Sequence, residues 1–354
     1  MTRELKFFQA IHEATDLSMK KDPLVYVIGL GVPDPKGIFG TTLGLQEKYG
    51  AERVMDMPTA ENGMTGVAIG SAVVGMRPLM IFQRVDFALL AMDQIVNTAA
   101  KWHYMYGGKE SIPLVMRLII GRGWGQGAQH SQSLQAWFAH VPGLKVVMPA
   151  TPYDAKGLLM SSIQDNNPVI FLEHRWLHNT FGPVPEGEYT VPIGKARVAR
   201  KGKDLTIVAT SHMVVEALHA AKILSEQAGI EVEVVDVRTL RPLDSETIIN
   251  SVAKTGRLIV ADTGWKSGGF GGELVSVVTE KAWDSLKMPP RRLALEDCPV
   301  PTSQALSIHC YPGTMEMVYQ VCEMTKTDKV SIRVPEEITS VPADIPDASF
   351  AGPF

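Results

Sequence analysis

PLVMRLII, residues 113–120, leads directly into GRGWGQG, residues 121–127. A strand with one wet face alternates apolar and polar residues. A strand apolar throughout must be covered on both faces. Four more runs of this kind share the first half: LVYVIGL (24–30), PLMIFQ (78–83), LKVVMP (144–149) and PVIFLE (168–173). Helical patterns fall between them near 64–76, 89–102 and 152–164. The alternation predicts an α/β fold, with a mostly parallel, doubly wound sheet.

HNTFGPVPEGEYTVPIG, residues 178–194, breaks this rhythm with proline and glycine and reads as a linker. Strand patterns then resume at 204–210, 231–237, 257–262 and 291–297, with helical stretches near 212–227, 244–254 and 272–284. The expected organisation is a first domain over 1–182, a linker over 183–200, a second and smaller doubly wound domain over 201–325, and an extended tail over 326–354. The tail carries Pro335, Pro342, Pro346 and Pro353 without helical periodicity.

A chain of 354 residues, 45% hydrophobic and 20% charged, can fill two cores and is not a disordered composition. A net charge of -4 gives no basic footprint for nucleic acid. No apolar run reaches membrane-spanning length. The N-terminal MTRELKFFQAIHEATDLSMKKDP reads as an amphipathic helix rather than a signal peptide. Cys298, Cys310 and Cys322 lack metal spacing and fit ordinary thiols in a reducing cytoplasm.

Three glycine-rich pieces, GLGVPDPKG (29–37), GRGWGQG and GGFGGE (268–273), fail as dinucleotide fingerprints. The first puts Pro33 and Pro35 where a helix must open, and the second has no suitable acid downstream. No phosphate-binding G-x-x-x-x-G-K-[ST] loop is present. Two single residues remain. Glu61, in PTAENGMTGVAIGSAVVGMRP (58–78), precedes a stretch uncharged as far as Arg77. It reads either as a site acid or as a helix-start acid favoured by the macrodipole. His130, in GAQHSQS (127–133), reads as a loop histidine of a site or of the surface.

Five longer stretches add a resemblance. They are GLQEKYGAERVMDMPTAENGMTGVAIGSAVVGMRP (44–78), DFALLAMDQIVNTAAKWHYMYGG (86–108), AQHSQSLQAWFAHVPGLKVVMPATPYDAKGLL (128–159), DNNPVIFLE (165–173) and VRTLRPLD (237–244). Together they resemble the β subunit of thiamine-diphosphate-dependent 2-oxo acid dehydrogenases, the dehydrogenase components of the pyruvate, branched-chain 2-oxo acid and acetoin complexes, which are relatives of transketolase. The resemblance implies a pyrimidine-binding domain followed by a transketolase C-terminal domain. It implies thiamine diphosphate shared with an α subunit, whose GDG…N motif holds the diphosphate through magnesium. That motif is missing here, so a partner in an α2β2 assembly is implied, with a lipoyl acyltransferase as a further partner.

The same resemblance assigns roles by position. Glu61 and Thr59 lie on the cofactor, with Glu61 against the pyrimidine ring nitrogen, and Phe87 packs on the aminopyrimidine. His130 faces the substrate. Leu114, Ser162, Ile163, Asp165 and Asn167 ring a monovalent cation, usually potassium. The chain departs from the pattern at Leu30 and Gly31, where relatives carry acids, with Asp34 a possible stand-in. It also departs at Arg84 and Asp86, at the bulky Arg122 and Trp124, and at Asp262 in place of a frequent glutamate. Arg84 pairs either with an extra anionic group of the substrate or with Asp86 at the surface. The expected activity is decarboxylation of a 2-oxo acid and acyl transfer to a lipoyl carrier. Carbon–carbon ligation by the same carbanion and a non-catalytic scaffold stand as alternatives.

Overall fold

The computed structural model describes residues 2–122, 125–328 and 332–335. The apolar runs form two sheets. The first has seven strands in the spatial order Thr239–Arg241, Lys145–Val147, Val169–His174, Val115–Ile120, Arg77–Phe82, Val25–Ile28, Val54–Met55. Neighbours run parallel except at the edge, where Thr239–Arg241 pairs antiparallel with Lys145–Val147. The second sheet has the order Arg291–Leu295, Leu258–Trp265, Leu205–Ala209, Val232–Asp236, Arg197–Arg200, with only the last strand antiparallel. A strand from beyond the expected linker thus completes the first sheet.

Side chains alternate along a strand, so each central strand supplies two cores. Val25, Val27, Leu79, Ile81 and Val115 face the helices Phe7–Lys21 and Pro152–Gln164. Tyr26, Ile28, Met80, Phe82 and Met116 face the opposite way, with Ala68 and Ile69 of the helix Glu61–Val73. This second core continues into Val208, Val235, Ile248 and Phe270 of the other unit. The face carrying the Glu61 helix is therefore the face against which the second unit packs. The far side of the second sheet is covered by the helices His212–Ala228 and Thr314–Thr325.

Some expectations shift. The N-terminal helix begins only at Phe7, and Thr2–Lys6 is a strand paired antiparallel with Phe181–Pro185. A two-stranded ribbon has two open edges, so Pro183 and Pro185 can sit in it without a lost ladder bond. The periodic stretch near 89–102 is no single α-helix: Gln94–Ala99 is a π turn and Ala100–Met105 is α-helical. Its buried residues Ala91, Ile95 and Ala99 recur every four residues, a spacing that the wider π turn accommodates. The helix expected from 64 begins at Glu61. Of the tail, only residues 326–328 and 332–335 are described. Among the described residues none of the three cysteines forms a disulfide; Cys298 is exposed and Cys322 buried.

Candidate active site

Parallel sheets place their ligand sites at the carboxyl ends of the strands. Four adjacent strands end together here. Val25–Ile28 runs into Gly29, Leu30 and Gly31, and Val54–Met55 leads toward Glu61. Arg77–Phe82 runs into the turn bearing Arg84, Asp86 and Phe87, and Val115–Ile120 leads by way of a loop to the helical turn Gly127–His130, so that His130 closes a helical turn and not a loop. Residues far apart in sequence meet at one edge.

Glu61 opens its helix and is 5% exposed. The preceding Ala60 offers no side-chain cap, so the carboxylate is the acidic group at the positive end of the helix. It accepts no hydrogen bond from any described residue. It lines a crevice of about 10 Å³ with Leu30, Met57, Gln83 and Phe87, barely space for one water. Thr59 is exposed two residues earlier and does not line this crevice.

Phe87 links Glu61 to His130. It lines the crevice on one side, and its ring lies 5.6 Å from the imidazole on the other, tilted by 39°. His130 Nδ1 is 2.8 Å from Asp86 Oδ2. This separates Asp86 from the surface pairing with Arg84 that the sequence left open. Arg84 is buried, its guanidinium donates to Gly121 O (3.4 Å) and to Gln126 Oε1, and it lies over the ring of Phe39. Burial pushes its pKa down to about 10, so it remains a cation at neutral pH. Gly121 holds φ +85°, and a Cβ there would stand 2.2 Å from His174 Nε2, so only glycine fits where this loop leaves the sheet. Arg122 packs between the rings of Trp176 (3.6 Å) and Tyr311 (4.6 Å). Trp124 lies outside the described residues.

The other departures also acquire positions. Leu30 lines the crevice in place of an acid. Gly31 holds φ +73°, and a Cβ built on it would stand 2.9 Å from Asp34 Oδ2 and 2.7 Å from Gln83 Nε2. The Asp34 carboxylate therefore lies over the point from which a side chain at 31 would project. Asp262 is buried and accepts from Gln135 Nε2 (2.8 Å) and Thr210 Oγ1 (2.7 Å), which ties the two units together.

The turn read as a cation site already spends much of its bonding capacity within the chain. Leu114 O accepts from Val169 N–H at 2.9 Å and Ser162 O from Asp165 N–H at 3.2 Å. Arg77 donates to Ile163 O (3.0 Å) and Asp165 O (3.2 Å). Lys145 pairs with the Asp165 carboxylate, and Asp165 Oδ1 accepts from Asn167 N–H at 2.8 Å. Each carbonyl keeps a second lone pair, so an ion there would share them with the Arg77 guanidinium. Among the described residues, no group of three or more His, Cys, Asp or Glu side chains forms a metal cluster.

Sequence reasoning missed the His130–Asp86 contact and a buried cluster of Arg117, Glu173 and His178. Arg117 Nε and Nη2 lie 2.5 and 2.9 Å from the two Glu173 oxygens, and all three side chains are at most 1% exposed. The available signal was a charge inside each of two apolar strands, but pattern alone does not say which charges meet.

Comparison with known proteins agrees with the two-unit fold. Residues 3–179 match the family model "Transketolase, pyrimidine binding domain", and residues 194–312 match "Transketolase, C-terminal domain". The chain is 41% identical over 332 residues to the mitochondrial pyruvate dehydrogenase E1 component subunit beta of Dictyostelium discoideum, covering 93% of each chain. It is 44% identical over 327 residues to the acetoin:2,6-dichlorophenolindophenol oxidoreductase subunit beta of Cupriavidus necator, covering 90% of this chain and 96% of the relative. A split-gene transketolase, solved as an inactive β4 tetramer, superposes with a TM-score of 0.75 at 23% identity, covering 92% of this chain and 99% of that one, which speaks for the fold alone. No helix of the described residues is long and apolar enough to cross a membrane. The chain belongs to the β-subunit family of the thiamine-diphosphate-dependent 2-oxo acid dehydrogenases, built from a transketolase pyrimidine-binding domain and a transketolase C-terminal domain.

Proposed function

We propose that this chain is the β half of an α2β2 enzyme that decarboxylates a 2-oxo acid and passes the acyl group to a lipoyl carrier on an acyltransferase. The observation that carries the reading is Glu61, a residue 5% exposed whose carboxylate has no hydrogen-bond partner among the described residues and which lines a crevice with an aromatic ring and aliphatic side chains. A carboxylate left without a described protein partner beside a crevice keeps its acceptor oxygens for a ligand. These residues fit the aminopyrimidine of thiamine diphosphate, a flat heteroaromatic ring with one nitrogen able to share a proton. The crevice is too small to enclose such a ring, which supports a site completed by a second chain. Magnesium belongs, in this reading, to that partner, because the GDG…N motif is missing here.

Thiamine diphosphate, when bound, would supply the electron sink for decarboxylation. This chain's residues do the remaining work. Glu61 holds the proton it shares with the ring nitrogen, while Leu30 and Met57 limit water around its carboxyl. Phe87 fixes the plane of the ring. Thr59, exposed two residues before Glu61, is kept in the proposal only as a minor contact to the cofactor. His130 handles a proton on the substrate side. Potassium at the turn 162–167 is part of the proposal, under the condition that Arg77 shares its carbonyls. Cytoplasmic placement is also part of it and rests on the cysteine pattern; the Dictyostelium relative is named mitochondrial.

The test is co-expression with a partner chain carrying the GDG…N motif, followed by a screen of 2-oxo acids for carbon dioxide release with an artificial electron acceptor. Glu61→Gln is expected to assemble normally and lose at least about 100-fold in kcat. Near-normal turnover in that variant would contradict the assignment.

A further inference from the structure

One four-residue turn, Val85–Ala88, and the residue before it furnish three side chains to the His130 loop. Arg84 donates to Gly121 O and Gln126 Oε1, at the start and near the end of that loop. Phe87 packs on the imidazole. Asp86 Oδ2 lies 2.8 Å from His130 Nδ1, across 44 positions of sequence. The Asp86 side chain is 12% exposed and its other oxygen, Oδ1, is buried without a partner among the described residues, whereas the His130 side chain is 39% exposed. His130 Nε2 makes no hydrogen bond to any described residue.

An ionised carboxylate only accepts. Facing Nδ1, it requires the proton on that nitrogen, and the neutral imidazole then carries its lone pair on Nε2. We infer that Asp86 is the positioning residue of this site: it fixes the tautomer and ring plane of His130, so that Nε2 is the atom that takes and returns a proton. Arg84 holds the loop in register for that contact. Nδ1–H is unchanged through the cycle. The proton moves between Nε2 and an oxygen of the bound substrate or its acyl product, and no other bond changes at the histidine. A mere surface ion pair would not bury one oxygen of its acid or hold the imidazole against an aromatic face.

The inference rests on the proposed role of His130, and the experiment separates the two. In the assembled enzyme, with the β chain selectively labelled with 15N-histidine, the ring nitrogens of His130 are read by NMR near neutral pH. Once the imidazole is neutral, the wild-type chain is expected to show Nδ1 protonated and Nε2 bare. Asp86→Asn, whose amide can donate as well as accept, is expected to show mixed tautomers and a kcat lower by about 100-fold with KM changed less than threefold. Asp86→Glu is expected to restore a single tautomer and most of kcat, which guards against a folding defect. Asp86→Asn added to His130→Ala is expected to cost nothing further. A tautomer unchanged in Asp86→Asn, or an additive double variant, overturns the inference. Full activity in His130→Ala alone would instead remove the parent role of His130, while the tautomer measurement still decides what Asp86 does.

Discussion

Glu61 and Glu173 are both buried carboxylates on the first sheet's framework, yet their surroundings are opposite. Glu173, in the strand Val169–His174, meets the guanidinium of Arg117 from the neighbouring strand through two hydrogen bonds. Although burial opposes ionisation, Arg117 and then His178 hold its carboxyl down to about 2. His178 is itself pushed down to about 4 by burial and is neutral at pH 7, so the close His178–Glu173 approach is a polar contact rather than a second ion pair. Glu61 has no such partner among the described residues and opens on the crevice. A buried acid completed within the chain serves the fold. One left incomplete marks where something from outside belongs.

Substituting each acid tests that contrast most strongly. Glu173→Gln leaves the Arg117 guanidinium buried without a counter-charge, a loss of about 3–5 kcal/mol. It is expected as a marked fall in urea midpoint at an unchanged slope. Glu61→Gln is expected to stay within about 0.5 kcal/mol of the parent, or to gain slightly, while turnover collapses. Equal destabilisation by both variants would erase the distinction between them.

Asp236 sharpens the comparison as an intermediate case. It is fully buried at the end of its strand, with Arg197 Nη2 3.4 Å away. That arginine also serves Asp154 at 3.5 Å, and Arg238 goes to Asp154 at 2.9 Å. Burial first, and the Asp154 charge second, push the Asp236 carboxyl up to about 7. Its folded pKa thus lies above the unfolded value near 3.9, and the folded state binds the extra proton between them. The stabilisation is complete below about pH 4 and is lost as pH rises through about 7. Glu173 has the opposite sign: its contribution is present above about pH 4.5 and is lost as pH falls through about 2. Asp236→Asn is therefore expected to gain on the parent by up to about 4 kcal/mol between pH 4 and pH 8, measured by urea unfolding across that range. A constant difference at all pH values would mean that the two arginines already balance both acids.

Much of this was legible in the sequence. Continuous apolar runs such as LVYVIGL required covered strands, and the helix Pro152–Gln164 begins and ends as the pattern predicts, opened by Pro152 after the capping Thr151. Glu61 and Phe87 could be named because resemblance assigns positions that periodicity does not. What pattern could not show is pairing across the sheet. Arg117 and Glu173 are hidden in runs that read as apolar strands, and their contact depends on strands at 115–120 and 169–174 becoming neighbours. The direction of Asp34 likewise follows from the backbone at Gly31 rather than from any motif. The strand Thr239–Arg241 escaped because its pairing partner lies in the other unit.

The smallest effect concerns the turn at 162–167, which asks whether a partly completed site can still take a ligand. Arg77 already donates to Ile163 O, Asp165 O and Asn166 Oδ1. These bonds draw the carbonyls into one place, and they also bring a positive charge beside any ion bound there. Potassium at ten times its dissociation constant would stabilise the chain by about 1.4 kcal/mol. It is expected as a higher thermal midpoint in potassium chloride than in tetramethylammonium chloride of equal ionic strength. If Arg77 acts chiefly as the scaffold of the turn, Arg77→Gln abolishes this potassium dependence, and we expect that outcome because three bonds converge through one side chain. A stronger potassium response in Arg77→Gln would mean that the guanidinium is the ion's competitor. No response in either protein would leave the turn complete without an ion, as Glu173 is complete with Arg117.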